Sequence, residues 1–196
     1  MKKEYAFLFI AIAFVAGIVA GVIATVLYEE KLPPLPSSIK APQPAPAPAL
    51  TPDVQNQIST LKSILKEDPK NLKALMELGN LYFDSNQPQE AVKAYTEYLK
   101  IKPDNADVRT DLGIMYRNAG EIDKAIEEFK KAGQIDPKHV NSRYNLGLVL
   151  LHDKRDIKSA IKAWEDYLKV DPNSERANRI KAQLDKLKTM ANAPKK

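Results

Sequence analysis

The chain of 196 residues contains no cysteine. This absence excludes disulfide bonds, thiolate metal sites, covalent attachment of c-type haem and the lipid-modified cysteine of a bacterial lipoprotein. Histidine is scarce too, because the sequence has two, His139 and His152. They do not lie at the spacing of three or four residues that places two ligands on one helix face. We therefore expect no metal and no cofactor.

Motifs that carry catalysis are equally scarce. The sequence has no GxSxG elbow, no phosphate-binding P-loop and no GxGxxG, because its seven glycines lie in an apolar N-terminal segment or at repeat and turn positions. We expect Gly120 to close a helix in the left-handed conformation. Asp107 with Arg117 is a candidate for a titratable pair in a groove. Otherwise carboxylates are scattered, and the sequence does not predict an enzyme.

The net charge of +5 and the pI of about 9.2 do not by themselves indicate a nucleic-acid partner. Acidic and basic residues interleave along the predicted helices, as at Lys124, Glu127 and Lys131, which is the pattern of solvated helix faces. The C-terminal end is more basic, but it has no aromatic residues on which bases could stack. We expect no nucleic acid among the partners.

What the chain does contain is an internal repeat. A Leu-Gly pair occurs three times, and its glycines, Gly79, Gly113 and Gly147, are 34 residues apart. A fixed period of this length indicates a stack of one supersecondary unit. Alanine, aromatic and proline positions recur with it: Ala91, Tyr95, Tyr98 and Pro103; Ala125, Phe129, Ala132 and Pro137; and Ala160, Trp164, Tyr167 and Pro172 after a slip of one residue.

These motifs resemble the tetratricopeptide repeat, a helix-turn-helix unit. The resemblance implies an all-α solenoid with repeats at 72–105, 106–139 and 140–174. The third repeat has one extra residue, which we place in the polar turn 151–156, where insertions are tolerated. The sequence departs from the family pattern at the tryptophan of each first helix, which is replaced by Leu75, Arg109 and Arg143.

Residue size predicts how the two helices of a repeat pack. Each first helix carries a small glycine, so a second helix that carries a small alanine can approach it closely. The alanines in question are Ala91, Ala125 and Ala160. A proline near the end of each second helix cannot continue a helix, so it should set the turn into the next repeat.

Residues 5–28 run for 24 positions without a charge. As a helix this segment would be about 36 Å long, enough to cross a hydrocarbon core of about 30 Å. The alternative, a cleaved signal peptide, has a shorter apolar region, so we predict a signal-anchor transmembrane helix within 1–31. Lys2 and Lys3 favour a cytoplasmic N terminus. Gly17 and Gly21 form a GxxxG motif that could pair two such helices in a homodimer.

The remaining segments complete the predicted organisation. Residues 32–52 hold eight of the 14 prolines, so they should form an extended, semi-rigid spacer. The repeat domain, 53–190, begins with a half-repeat at 53–71 that corresponds to a second helix. It ends with a capping helix at 174–190, because the last repeat would otherwise leave its apolar face bare. A basic tail, 191–196, follows.

The resemblance also implies where a partner protein binds. In this family the first helix of each repeat turns one side toward a concave groove. The partner-binding positions implied here are Met76, Asn80, Phe83, Thr110, Ile114, Arg117, Asn141, Tyr144, Leu148 and Leu151. Such a largely apolar surface suits an amphipathic helix or an extended apolar peptide. Alternatively, some of these residues, Leu148 and Leu151 above all, pack against the terminal helices of the same chain.

The family's clamp for the C-terminal carboxylate of chaperones is not matched, because Met76 and Asp111 stand where its lysine and second asparagine are expected. The whole layout is similar to the membrane-anchored repeat subunits of bacterial cytochrome c maturation. That resemblance implies a single-pass inner-membrane protein with a periplasmic repeat domain that binds a segment of an exported partner. The alternative is an ancillary translocon or envelope-complex scaffold that binds folded partners.

Overall fold

The computed structural model describes residues 50–191, which form eight α-helices and no strand. In chain order the helices are α1 (Pro52–Glu67), α2 (Leu72–Asp84), α3 (Pro88–Ile101), α4 (Ala106–Asn118), α5 (Ile122–Ile135), α6 (Val140–His152), α7 (Ile157–Val170) and α8 (Glu175–Ala191). Each helix packs against the next one along the chain. The predicted all-α repeat solenoid is confirmed.

Several predictions concern residues outside this range. They are the membrane segment 1–31 with Gly17 and Gly21, nearly all of the spacer 32–52, and the basic tail beyond residue 191. Within residues 50–191, no helix combines the length and the apolar character that crossing a membrane requires. The membrane anchor therefore stays a prediction.

Proline and a capping residue mark each connection between repeats. Pro69, Pro103, Pro137 and Pro172 each lie two residues beyond the end of a helix, where their rings cannot continue the helical hydrogen bonds. The next helix then begins at a side chain that accepts a hydrogen bond from the backbone N–H three residues later. These caps are Asn71, Asn105, His139 and Ser174.

The turn inside each repeat contains one residue with a left-handed backbone. These residues are Asn86 (φ 50°), Gly120 (φ 82°) and Arg155 (φ 56°), so the conformation predicted for Gly120 is confirmed. The turn of the third repeat spans 153–156, whereas the equivalent turns span 85–87 and 119–121. The extra residue thus lies in the turn, as predicted, and leaves the helices of the repeat at their usual lengths.

A glycine packed against an aromatic ring joins the two helices of each repeat. The pairs are Gly79 with Tyr95, Gly113 with Phe129, and Gly147 with Trp164. A Cβ at residue 113 would lie 2.6 Å from Cε1 of Phe129, so a side chain at this position would displace the ring. The close approach expected at these glycines is present. However, the group that fills the space is the ring of the second helix and not its alanine.

The apolar core runs continuously along the stack. One cluster of buried side chains extends from Ile58 on α1 to Met115 on α4, and a second includes Phe129 and Val149. Ile114 and Tyr116 pack against both clusters. At the C-terminal end, α8 buries four side chains, namely Ala177, Ile180, Leu184 and Leu187. The repeats therefore share one core, and α4 lies at its centre.

Candidate functional site: the groove of the first helices

The first helices of the three repeats form the inner layer of the stack. Helix α2 contacts α4, and α4 contacts α6, although a second helix separates each pair in sequence. When a row of repeats curves, the layer whose members approach one another lies on the concave side. The side chains that α2, α4 and α6 turn away from the second helices therefore line a groove, which we call the first-helix groove.

The predicted partner-binding residues differ in how far they reach solvent. Asn80 and Asn141 are exposed. Six others are half-buried, which leaves part of each side chain accessible: Met76, Phe83, Ile114, Arg117, Tyr144 and Leu148. The apolar members of this set leave part of their surface accessible along the first helices.

Thr110 and Leu151 are corrections to the predicted groove, because both side chains are buried, with 3% and 0% of their surface exposed. The Thr110 hydroxyl donates a hydrogen bond to the Ala106 carbonyl oxygen, 2.8 Å away, so it is directed back along its own helix. Leu151 is an apolar side chain within the core. Neither residue offers surface to a partner.

Helix α8 of the same chain contacts the α6 end of the groove. Arg176 donates from Nη1 to Oδ1 of Asn141 at 2.9 Å, and its guanidinium lies 4.6 Å from the centre of the Tyr144 ring. Asn141 and Tyr144 are therefore engaged by the capping helix. The alternative that terminal helices pack against groove residues applies to these two side chains.

The titratable pair suggested by the sequence, Asp107 with Arg117, does not form. Arg117 donates from Nε to Oδ2 of Asp153, 2.7 Å away in the turn of the third repeat. Asp107 instead lies 2.9 Å from Nε2 of His139. Both contacts join neighbouring repeats across the groove, so these charges fix the stack and are not paired with each other for chemistry.

His139 has a defined tautomer. Its Nδ1 accepts a hydrogen bond from the backbone N–H of Ser142 at 3.2 Å, so this nitrogen carries no hydrogen. The hydrogen is therefore on Nε2, which donates to Oδ1 of Asp107. His139 thus takes the capping role of Asn71 and Asn105 and adds a contact to the preceding repeat.

A polar cluster lies at the α2–α4 end of the groove. The Tyr95 hydroxyl donates to Oδ1 of Asn80 at 2.8 Å. The carboxylates of Asp84 and Asp111 are close enough to raise the pKa of Tyr95 in addition to the larger effect of its burial. Within residues 50–191, neither carboxylate forms a hydrogen bond or an ion pair. Asp84 and Asp111 therefore place negative charge near Tyr95 without an ion-pair partner of their own in this part of the chain.

Asp111 is the most perturbed acid of this cluster. Burial, followed by the charge of Asp107, raises its pKa from 3.8 to about 6. His139 lowers that pKa and Asp84 raises it, both by smaller amounts. In the sequence Asp111 is notable because it stands where the family's clamp for a C-terminal carboxylate has an asparagine. Its position three residues before Ile114 on α4 is the signal that places it beside the groove stripe.

A second concavity lies outside the first-helix groove, between α1, α2 and α3. It has a volume of about 320 Å³, an apolar floor that includes Leu75, Leu78 and Ala94, and the charged residues Lys62 and Glu97 in its lining. Leu75 and Ala94 correspond to Arg109 and Glu128 of the second repeat. There the two side chains form an ion pair, with 2.6 Å between Nη1 and Oε2. The concavity therefore marks the place where the first repeat lacks the large side chain of the family pattern.

No group of three or more histidines and carboxylates within residues 50–191 is arranged to hold a metal ion. The arrangement found in the groove combines partly accessible apolar side chains with unpaired carboxylates. Such a surface has the features of a peptide-binding site, in which apolar pockets give affinity and polar groups select the partner.

Comparisons with known proteins agree with the fold. Sequence models of the tetratricopeptide repeat match residues 58–106, 76–139 and 116–184. The crystal structure of MamA is 25% identical, with a TM-score of 0.65, over 70% of this chain and 80% of MamA. A tetratricopeptide repeat protein of Parabacteroides merdae is 24% identical, with a TM-score of 0.62, over 69% of this chain and 54% of that one.

The tetratricopeptide repeat domain of Arabidopsis OM64 is 23% identical, with a TM-score of 0.54, over 59% of this chain and 94% of that domain. At this identity the likeness concerns the fold alone. A comparison with curated protein sequences gives no match.

Proposed function

Because the chain belongs to the tetratricopeptide repeat family, we propose that it is a membrane-anchored scaffold that binds a segment of a partner protein in the first-helix groove. Domains of this family generally bind proteins and are typically not enzymes. The observation that carries the proposal is the row of half-buried apolar side chains along the groove, formed by Met76, Phe83, Ile114 and Leu148. A partner helix or extended peptide would bury this surface.

Site-specific crosslinking in the native host tests the groove. A photoreactive residue at Ile114 should capture a partner, because Ile114 lies at the centre of the groove and is partly accessible. The same residue at Lys130, which is exposed on the second helix α5, is the control. Capture of one partner by position 114 and not by position 130 supports the proposal. Equal capture at both positions, or none at 114, contradicts it.

The narrower proposal concerns the cell envelope. An apolar segment of 24 residues followed by a proline-rich spacer supports a single-pass protein of the bacterial inner membrane with its repeats in the periplasm. The same layout supports a role in envelope protein assembly such as cytochrome c maturation. Peptides from the C-terminal segment of an apocytochrome c should then bind the protein. If they do not bind, the role in cytochrome c maturation is contradicted, but the proposed binding function of the groove is not.

A second candidate function is that of a scaffold for folded partners in a translocon or another envelope complex. The observation that favours it is the concavity at Leu75 and Ala94, which lies between α1 and α3 and so offers a surface outside the groove. In that case Ala94→Arg, which would fill the concavity, should release the partner while crosslinking at Ile114 captures nothing.

Pairing of membrane helices through Gly17 and Gly21 is a further proposal. Replacing both glycines by leucine and measuring the oligomeric state tests it.

A further inference from the structure

Helix α6, the first helix of the third repeat, carries a contact that points to a subsite within the groove. Arg176, near the start of α8, donates from Nη1 to Oδ1 of Asn141 at 2.9 Å. Its Cζ lies 4.6 Å from the centre of the Tyr144 ring. A guanidinium group is therefore already seated between two of the side chains that the family resemblance assigns to partner binding.

The two groove side chains recognise different properties of that guanidinium. The face of an aromatic ring carries negative partial charge, so it attracts a cation placed over it. An asparagine carbonyl oxygen accepts a hydrogen bond from the planar guanidinium, which holds five N–H donors in a fixed fork. The pair formed by Asn141 and Tyr144, which we call the α6 subsite, thus suits an arginine side chain better than a compact ammonium group.

The first and second repeats do not have this subsite. The residues at the equivalent positions are Lys73 and Met76 in the first repeat and Asp107 and Thr110 in the second. Neither pair combines an aromatic face with a side-chain amide, and Thr110 is buried. The α6 subsite is specific to the third repeat, so the stacking of repeats does not require it.

The contact of Arg176 is not what holds α8 in place. Four buried apolar side chains of α8 do so, namely Ala177, Ile180, Leu184 and Leu187. Lys188 of the same helix also forms an ion pair of 2.7 Å with Glu165 on α7. Arg176 is half-buried and Asn141 is exposed, so the arginine side chain can rotate into solvent while the helix stays packed.

We infer that the α6 subsite binds an arginine side chain of the partner segment, and that Arg176 occupies the subsite in the free protein as an internal competitor. This inference rests on the proposed function of the first-helix groove. Leu148, one helical turn beyond Tyr144 on α6, receives an apolar side chain of the same segment. Binding of the segment releases Arg176 to solvent.

Competition by Arg176 lowers the affinity for such a segment. When a site is open in only a fraction of the molecules, the apparent dissociation constant rises by the inverse of that fraction. One cation–aromatic contact with one hydrogen bond at a partly exposed place is weak, so the subsite should be open in about a tenth to about a third of the molecules. Removing Arg176 should therefore strengthen binding about threefold to tenfold.

Selection from a phage-displayed library of random dodecapeptides tests which side chain the subsite prefers. The target is the full chain in detergent micelles, as the wild type, as Arg176→Ala and as Arg179→Ala. Arg179 is exposed on α8 and paired with Glu175, so its removal changes the net charge equally without opening the subsite. We expect peptides selected by Arg176→Ala to combine an arginine with apolar residues, with stronger enrichment of arginine than for the other two targets.

Fluorescence anisotropy of the strongest peptide then measures the effect. Arg176→Ala should bind it about threefold to tenfold more tightly than the wild type, whereas Arg179→Ala should bind it as the wild type does. Replacing the peptide arginine by citrulline, which keeps the shape and removes the charge, should abolish this gain. Adding Tyr144→Leu to Arg176→Ala should abolish it too, and adding Asn141→Ala, at an exposed residue that folding does not depend on, should reduce it.

The outcomes separate the inference from the groove function on which it rests. Selected peptides without arginine, equal affinity of the wild type and Arg176→Ala, or an equal gain in Arg179→Ala would each overturn the inference and leave the groove function intact. Wild-type peptides with an acidic residue that Arg176→Ala no longer selects would overturn it as well, because Arg176 itself would then be the binding group. A library that yields no peptide for any variant would contradict the groove function itself.

Discussion

Two carboxylate side chains of the second repeat are shielded from solvent, but one is paired with cations and the other is not. Glu128 on α5 is buried and lies 2.6 Å from Nη1 of Arg109 and 2.9 Å from Nζ of Lys131. Asp111 on α4 is half-buried and has no cation beside it within residues 50–191. The two carboxylates thus differ in their partners, because Glu128 is paired with two cations and Asp111 with none.

The largest change in stability is expected when Glu128 loses a cation partner and so resembles Asp111. Arg109→Met keeps an apolar stem but removes the cation that contacts Glu128. Lys131 then remains as its one partner, so we expect the free energy of unfolding to fall by about 2 to 3 kcal/mol. Urea denaturation followed by circular dichroism measures this change.

The first repeat supplies the control for that experiment. Leu75 and Ala94 occupy there the positions of Arg109 and Glu128, so the double variant Arg109→Leu with Glu128→Ala copies the first repeat into the second. Because no buried charge is left unpaired, the double variant should lose less stability than Arg109→Met. A larger loss in the double variant would show that packing, and not the pairing of Glu128, determines stability at this place.

Removing the charge of Asp111 should increase the free energy of unfolding, whereas removing the charge of Arg109 should decrease it. The pKa of Asp111 in the folded protein, about 6, lies above its unfolded value of 3.8. The folded state therefore binds more protons between these values, and wild-type stability gains a contribution as the pH falls through about 6 toward about 4. Asp111→Asn should raise the free energy of unfolding by about 2 kcal/mol at pH 7 and remove that contribution.

Urea denaturation of both proteins between about pH 4 and about pH 7 checks this prediction. The difference between wild type and Asp111→Asn should shrink steadily as the solution becomes more acidic, because other titrating groups are common to both. A difference that does not change with pH would mean that the Asp111 carboxyl group is not the source of the effect.

The repeat architecture could be predicted from the sequence, but the asymmetry between these acids could not. The period of the glycines determines the helices, and the prolines and caps determine where they begin and end, since both are local signals. Glu128 and Asp111 look alike in sequence, as acids on helical stretches. Their difference depends on Arg109 on the neighbouring helix and on how closely α2 approaches α4.

The same limit applies to the groove residues that were predicted. Arg117 pairs with Asp153, 36 positions later, through the turn that contains the extra residue of the third repeat. Tyr144 is covered by Arg176 of α8. Both contacts follow from how the repeats stack, which helical periodicity alone does not specify. The apolar floor was predictable because burial of one helical stripe is local, and its charged border was not.

A smaller change in stability is expected when Asp111 gains a nearby cation, as Glu128 has, through a substitution at Asp84. Asp84 is the last residue of α2 and is exposed, and its charge raises the pKa of Asp111. Asp84→Lys would replace a repulsion by an attraction, so the pKa of Asp111 should fall. We expect a gain in stability of about 0.5 to 1 kcal/mol, including a favourable lysine at a helix C terminus.

Carbon-detected NMR titration of the Asp111 carboxyl group measures the pKa directly. Glu67→Lys is the matched control, because Glu67 is the exposed last residue of α1. It should show the C-terminal helix effect on stability without the change at Asp111. The same fall in the Asp111 pKa for both variants would indicate a general charge effect and remove the special role of Asp84.

The smallest effect is expected from substituting His139, which contacts the groove acid Asp107. His139→Asn keeps the cap, since Asn71 and Asn105 perform the same role, but it removes the contact with Asp107. Stability at neutral pH should change by less than about 0.5 kcal/mol. The pKa of Asp111 should rise slightly above its wild-type value, because His139 lowers it. If instead the pKa of Asp111 fell, His139 would not be the group that lowers it, and the electrostatic contrast with Glu128 would need another source.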